Sequence, residues 1–141
     1  LVTCFPKAKK AWTKEVPLPG GAFENQVSLV AQLTAEFPWL DKTIAERYAR
    51  QYGLLSYKFL KGKCSVDAMG EHFGAGMYQA EVDYLIEREW ACSLEDVIWR
   101  RTKHGLRLNQ AQQDTLSSYI ITKVSGPVAT EEQVEAALAS A

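Results

Sequence analysis

The chain has 141 residues, enough for one domain with a real core and too few for two comfortable ones. A hydrophobic fraction of 47% with 11% aromatics is that of a globular protein, and a formal net charge of -1 leaves no global attraction for nucleic acid or anionic lipid. Charge is nonetheless uneven, with four lysines and one glutamate in residues 1–20 and three glutamates without a base in residues 124–141.

Residues 1–21 contain Pro6, Pro17, Pro19 and the pair Gly20-Gly21, which break any continuous helix and predict an extended connector ending in a turn. Lys7, Lys9, Lys10, Trp12 and Lys14 form a basic stretch with one aromatic. A solvated connector with Trp12 packed on the domain is preferred over a phosphate or headgroup contact. Over residues 25–36, Val27, Val30, Leu33 and Phe37 keep helical spacing, and Phe37-Pro38 ends the helix because a residue before proline avoids the helical region. Asp41 is then a good N-cap for a second helix over 42–52, with Ile44, Ala45, Tyr48 and Tyr52 on one face and Gly53 as its stop. A short third helix fits 54–60, closed by Gly62.

Residues 63–76 read as loop or broken helix. Their glycines Gly70, Gly74 and Gly76 run G-x-x-x-G-x-G after a segment with no strand pattern, so a tight turn is preferred over a dinucleotide cradle. The helix starting at Met77 carries Tyr78, Val82, Leu85, Ile86 and Glu89 or Trp90 on one stripe, with Glu81, Asp83, Glu87 and Arg88 mostly outside it. A following helix opens at Ser93 with Asp96 in the capping-box position, and closes on Lys103, His104 and Gly105, the glycine taking a left-handed cap. Asn109 caps another helix over 110–123 with Ala111, Leu116, Tyr119, Ile120 and Val124 on its buried side. Gly126-Pro127 breaks it. Thr130 and Gln133 begin a last weak helix whose only large apolar residues are Val134 and Leu138, which predicts a weakly helical or disordered tail. The fold class is therefore all-α: a bundle of about five to six helices preceded by an extended linker.

Cys4, Cys64 and Cys92 are odd in number and lack a C-x-x-C pair, as expected of free thiols in a reducing compartment. With no secretory signal and no apolar run of bilayer length, the chain reads as cytosolic. Leu1 in place of an initiating methionine reads as the interior of a longer chain. Neither His72 nor His104 has a local partner pattern for nucleophilic catalysis. Cys64, His72, Cys92 and His104 show no zinc-ligand spacing, and Glu81 and Glu89 read as capping or ion-pairing groups, not acid–base catalysts.

The sharpest local cluster is W-R-R-T-K at 99–103. Neighbours on a helix diverge by about 100 degrees, so Arg100 and Arg101 cannot both face one partner. The functional reading sets the outward arginine and Lys103 against an anion, a phosphate-bearing ligand or an acidic surface. The structural reading, which carries more weight, pairs an arginine with Glu81 or Glu89 and places Trp99 in the core.

Several motifs in order, A-W-T-K-E at 11–15, L-P-G-G at 18–21, E-R-Y-A-R-Q-Y-G at 46–53, Y-L-I-E-R-E-W at 84–90 and W-R-R-T-K-H-G at 99–105, closely resemble the carboxy-terminal part of bacterial aerobic glycerol-3-phosphate dehydrogenase. The resemblance runs over residues 11–121. It implies a parent enzyme that uses FAD to oxidise sn-glycerol 3-phosphate to dihydroxyacetone phosphate, passes electrons to quinone and lies peripherally on the cytoplasmic face of the bacterial inner membrane. In such a parent, residues 1–21 would be the tail of the flavin domain and the joint, 22–125 a helical cap, and 126–141 a tail. The cap itself would be non-catalytic and bind no cofactor or metal, with FAD and substrate held in the amino-terminal domain. Its partners would be that flavin domain, quinone and membrane through the parent, and a second copy in a homo-oligomer. Arg100, Arg101 and Lys103 are the candidate interdomain surface. Two alternatives stand beside this: a free-standing helical module binding protein or nucleic acid through Lys7 to Lys14 and the Arg100-Arg101 turn, and, within the family, an oxidase handing electrons to oxygen.

Overall fold

The computed structural model describes residues 14–126. The basic stretch at Lys7, Lys9, Lys10 and Trp12, the thiol of Cys4 and the expected helix after Thr130 lie outside the described residues. The chain divides between Lys61 and Gly62 into two units. Helices dominate both, and a two-stranded hairpin is the only sheet among the described residues.

In the first unit, residues 14–25 form turns without helix or strand. They are anchored by one close approach. Gly20, at φ +82°, accepts a hydrogen bond from Leu54 N at 2.9 Å, and a Cβ on Gly53 would lie 2.3 Å from the Gly20 carbonyl oxygen. Only glycine fits there, because φ at Gly53 is also positive, +55°.

Helix α1 (Gln26–Glu36) starts where Asn25 accepts a hydrogen bond from Ser28 N at 2.9 Å and ends at Phe37, ahead of Pro38. Its buried stripe is Leu29, Leu33 and Phe37, one turn apart each time. Val27, expected on that stripe, is 79% exposed. Helix α2 (Lys42–Gln51) starts at Asp41, whose carboxylate accepts from Thr43 N at 2.8 Å, and buries Ala45, Tyr48 and Ala49. Arg47 is also buried, donating to Gln51 Oε1 at 2.9 Å, its guanidinium 4.6 Å from the centre of the Tyr48 ring. A 3-10 turn (Gly53–Ser56) leads into α3 (Tyr57–Leu60), which brings Phe59 edge-on to Tyr48 and Tyr52 at 5.0 and 5.3 Å. Each such pair adds about 1 kcal/mol beyond the area it buries.

The second unit corrects the expectation of unbroken loop and helix. Strand β1 (His72–Gly74) pairs antiparallel with β2 (Met77–Tyr78), so Met77 and Tyr78 are strand and helix α4 (Gln79–Glu89) begins after them. The turn at residues 74–76 has positive φ throughout, which two glycines permit. In α4, Val82 and Leu85 are buried as expected and Ile86 half-buried; Tyr84 and Glu81 are buried as well, Glu81 fully. Helix α5 (Gln110–Ser125) has a reciprocal capping box between Asn109 and Gln112. Leu116 and Ile120 are its buried residues, while Ala111 and Val124 are exposed and Tyr119 is half-buried, its ring 5.2 Å from that of Phe73.

The expected helix over 93–105 is corrected too. Its main part is a π-helix (Asp96–Arg101) that stops at Thr102, which is extended. Thr102 closes it from both backbone and side chain, N and Oγ1 donating to the Val97 carbonyl at 3.1 and 2.7 Å. Gly105 is no left-handed cap. It lies inside a 3-10 turn (His104–Leu106), and the left-handed cap is instead Trp90, at the end of α4.

Candidate interaction surface around the π-helix

The surface is built from the Asp96 carboxylate outward. Asp96 Oδ2 accepts from the amides of Cys92 and Ser93 at 3.0 and 3.1 Å and from Ser93 Oγ at 3.0 Å, while Asp96 N donates back to Ser93 Oγ at 3.2 Å. That is the expected capping box with one more amide in it. The other oxygen accepts from Arg100 Nη1 at 2.7 Å. These donors, the Cys92 amide first and Arg100 next, hold the Asp96 carboxyl far below the usual carboxylate range.

Arg101 is placed differently. Its Nε donates to the Glu89 carbonyl oxygen at 2.9 Å, satisfying an acceptor that the end of α4 leaves open. Lys103 Nζ donates to the Trp99 carbonyl oxygen in the same way. The candidate residues Arg100, Arg101 and Lys103 are thus brought together within one turn, and all three are exposed. The expected arginine pair with the Glu81 or Glu89 carboxylate is replaced by Asp96 and a backbone carbonyl. Trp99, expected in the core, is 41% exposed. The inward positions belong to Val97 and Ile98 because the π-helix advances more residues per turn.

Sequence reasoning missed two exposed apolar neighbours. Trp90 is 84% exposed and sits at φ 57°, ψ 33°, a left-handed backbone that a tryptophan rarely adopts. Leu106 is 76% exposed, next to Gly105, on which the Trp99 ring rests.

Other candidate groups are occupied structurally. His72 Nε2 accepts from Gly76 N at 3.2 Å, and its ring stacks on Tyr78 at 4.6 Å. His104 is buried. Cys64 and Cys92 are free and exposed. Among the described residues no group of three or more His, Cys, Asp or Glu is placed to hold a metal, and no helix is long and apolar enough to cross a membrane. In the first unit, α1 and α2 line an open groove of about 610 Å³ with Val27, Val30 and Ala31, rimmed by Lys42 and Glu46.

FAD does not fit the described glycine turn. The space above Gly70 is filled by the Gln79 side chain, 2.6 Å from a would-be Cβ, and that above Gly74 by Gln112 at 2.3 Å.

A family model described as the C-terminal domain of alpha-glycerophosphate oxidase matches residues 11–122. The chain belongs to this family. It is 44% identical over 117 residues to a glycerol-3-phosphate dehydrogenase of Pseudomonas aeruginosa, a match covering 82% of this chain and 23% of that protein. It is 42% identical over 112 residues to the aerobic glycerol-3-phosphate dehydrogenase of Escherichia coli, covering 79% and 22%. It is 38% identical over 111 residues to the D-erythritol 1-phosphate dehydrogenase of Brucella abortus, covering 77% and 22%. The chain therefore spans less than a quarter of the length of these relatives. As a member of this C-terminal domain family, it matches them across both units and through the whole π-helix surface.

Proposed function

We propose that this chain is the C-terminal helical cap of an FAD-dependent sn-glycerol-3-phosphate dehydrogenase, which forms dihydroxyacetone phosphate and delivers electrons to quinone. The identity to two glycerol-3-phosphate dehydrogenases, over about four-fifths of the chain, carries this reading. FAD and substrate are held in the amino-terminal flavin domain of that parent. The cap contributes an interface, not reacting groups, and Arg100, Arg101 and Lys103 lie on it. Residues 1–21 are the tail of the flavin domain and the joint, 22–125 the cap and 126–141 its tail. The parent lies peripherally on the cytoplasmic face of the inner membrane.

The test is the native, full-length protein carrying this chain. It is expected to be yellow, to bleach with sn-glycerol 3-phosphate and to reduce a quinone analogue in the membrane fraction. A colourless protein would refute the reading. Bleaching by erythritol 1-phosphate alone would move the substrate to that of the Brucella relative, and oxygen consumption without quinone reduction would select the oxidase.

A further inference from the structure

We infer that Trp90, Trp99 and Leu106 form the apolar centre, and Arg100, Arg101 and Lys103 the cationic rim, of the surface on which this domain docks against the flavin domain of its own polypeptide. The inference rests on the cap reading above and deepens it by naming the docking residues and the chemistry of the opposing face.

Contiguity comes from the contacts. Arg101 Nε on the Glu89 carbonyl brings the π-helix alongside Trp90, and the Trp99 ring lying on Gly105 places it beside Leu106. Two indoles and a leucine are thus exposed on neighbouring segments. An apolar centre with tryptophan anchors and an arginine rim is the anatomy of a protein interface. Trp90 adds a separate observation. Its left-handed backbone favours glycine, yet the chain places there a large side chain that is 84% exposed and gains almost no burial within the domain. A contact outside the domain gives that strain a return.

The occupant follows from charge and from length. More than three-quarters of each of the three relatives lies outside the match, a large body of chain for this domain to rest on. Arg100 is offset by Asp96, while Arg101 and Lys103 donate to neutral carbonyls and keep their charge, which calls for an acidic opposing face. All three are also held in place, Arg100 by Asp96, Arg101 by the Glu89 carbonyl and Lys103 by the Trp99 carbonyl. Cations held in place by these bonds suit fixed carboxylates on a folded partner more than the diffuse field of a lipid surface.

The experiment uses the full-length protein with a protease site placed at Lys14 and Glu15, in an exposed turn ahead of the Gly20 contact. After cleavage, the two pieces are run on a sizing column at physiological salt. Wild-type pieces are expected to co-elute. Pieces carrying Trp90→Gly with Leu106→Asp are expected to separate, their association weakened at least about tenfold. Both substitutions are at exposed positions, and glycine suits the backbone at 90, so the melting temperature of Trp90→Gly should hold or rise. Unchanged co-elution of the double variant overturns the inference. Separation of the wild-type pieces overturns it too, and if the freed chain then sediments with phosphatidylglycerol vesicles, the surface belongs to a membrane. Flavin absorbance of the same preparation reports on the cap reading alone. A yellow, substrate-bleached protein whose double variant still co-elutes loses only the docking inference, and a colourless one loses the flavin reading whatever its elution.

Discussion

The indole of Trp99 lies against Gly105 so closely that a methyl group there would sit 2.4 Å from its ring carbons. Position 105 is therefore glycine for space, not for backbone freedom. Gly105→Ala should displace the ring and destabilise the second unit by about 1–3 kcal/mol, the usual range for overpacking. A double-mutant cycle with Trp99→Ala checks it. Once the indole is gone, alanine at 105 should be nearly neutral.

Gly53 and Gly62 separate space from conformation. Both have positive φ, but a Cβ on Gly53 meets the Gly20 carbonyl at 2.3 Å, whereas one on Gly62 meets nothing within 4 Å. Gly62→Ala should cost only the left-handed backbone penalty, about 1 kcal/mol. Gly53→Ala should cost about 2–4 kcal/mol, because the obstacle is backbone and cannot swing aside. Denaturant unfolding of the two variants side by side gives the comparison. Equal losses would show that the turn before α1 detaches freely from α2.

The elements legible in the sequence are those with explicit end signals. Asp41 and Asn109 each cap a helix where expected, and the Ser93–Asp96 box is present. The hairpin was illegible because strands of three and two residues are too short for alternation to show. Glu81 shows geometry overriding charge: it lies one turn before Leu85, so spacing puts it on the buried face, and it is fully buried although its charge argues for solvent. In α1, Leu29 and Val27 both fit a helical stripe ending at Phe37, and periodicity alone does not choose between them. At the candidate surface, the cluster of Arg100, Arg101 and Lys103 was visible as composition. Trp90 was not, since nothing local marks a tryptophan for a left-handed cap, and the exposure of Trp99 depends on the π-helix register.

Asp96 makes the surface pH-dependent. Its carboxyl is held below the ordinary range by the amides it caps and by Arg100. A depressed folded-state value means that the contribution to stability is complete above the ordinary carboxylate value of about 4 and is lost as pH falls through the folded value. Thermal melts from pH 7 to pH 2 should therefore show Asp96→Asn less stable than wild type at neutral pH, with the gap closing in strong acid. A gap independent of pH would mean that the side chain acts through shape and not through charge.

Tyr119 and Tyr84 govern the alkaline limb. Tyr119 OH donates to Asp83 Oδ1 at 2.6 Å, and Lys123 Nζ reaches the same oxygen at 3.1 Å, tying α5 to α4. Burial first, then the Asp83 carboxylate, raises the Tyr119 phenol well above its ordinary value. Burial and the Glu89 carboxylate push Tyr84 up to about 12. Tyr57 is raised as well, by burial and by its hydrogen bond to Glu36. For a phenol the neutral form is the one the fold holds, so this contribution is complete below the unfolded value of about 10 and is lost as pH rises through the folded values. Absorbance at the phenolate band should show Tyr57, Tyr84 and Tyr119 ionising above the ordinary phenol value, Tyr84 and Tyr119 after Tyr57. Tyr119→Phe should remove one late phenol and about 1 kcal/mol of stability at neutral pH, the scale of one partly exposed hydrogen bond to a charged group. If Tyr84 and Tyr119 titrated near pH 10 in the folded protein, the Asp83 and Glu89 contacts would not persist in solution, and the tie between α4 and α5 would rest on apolar packing alone.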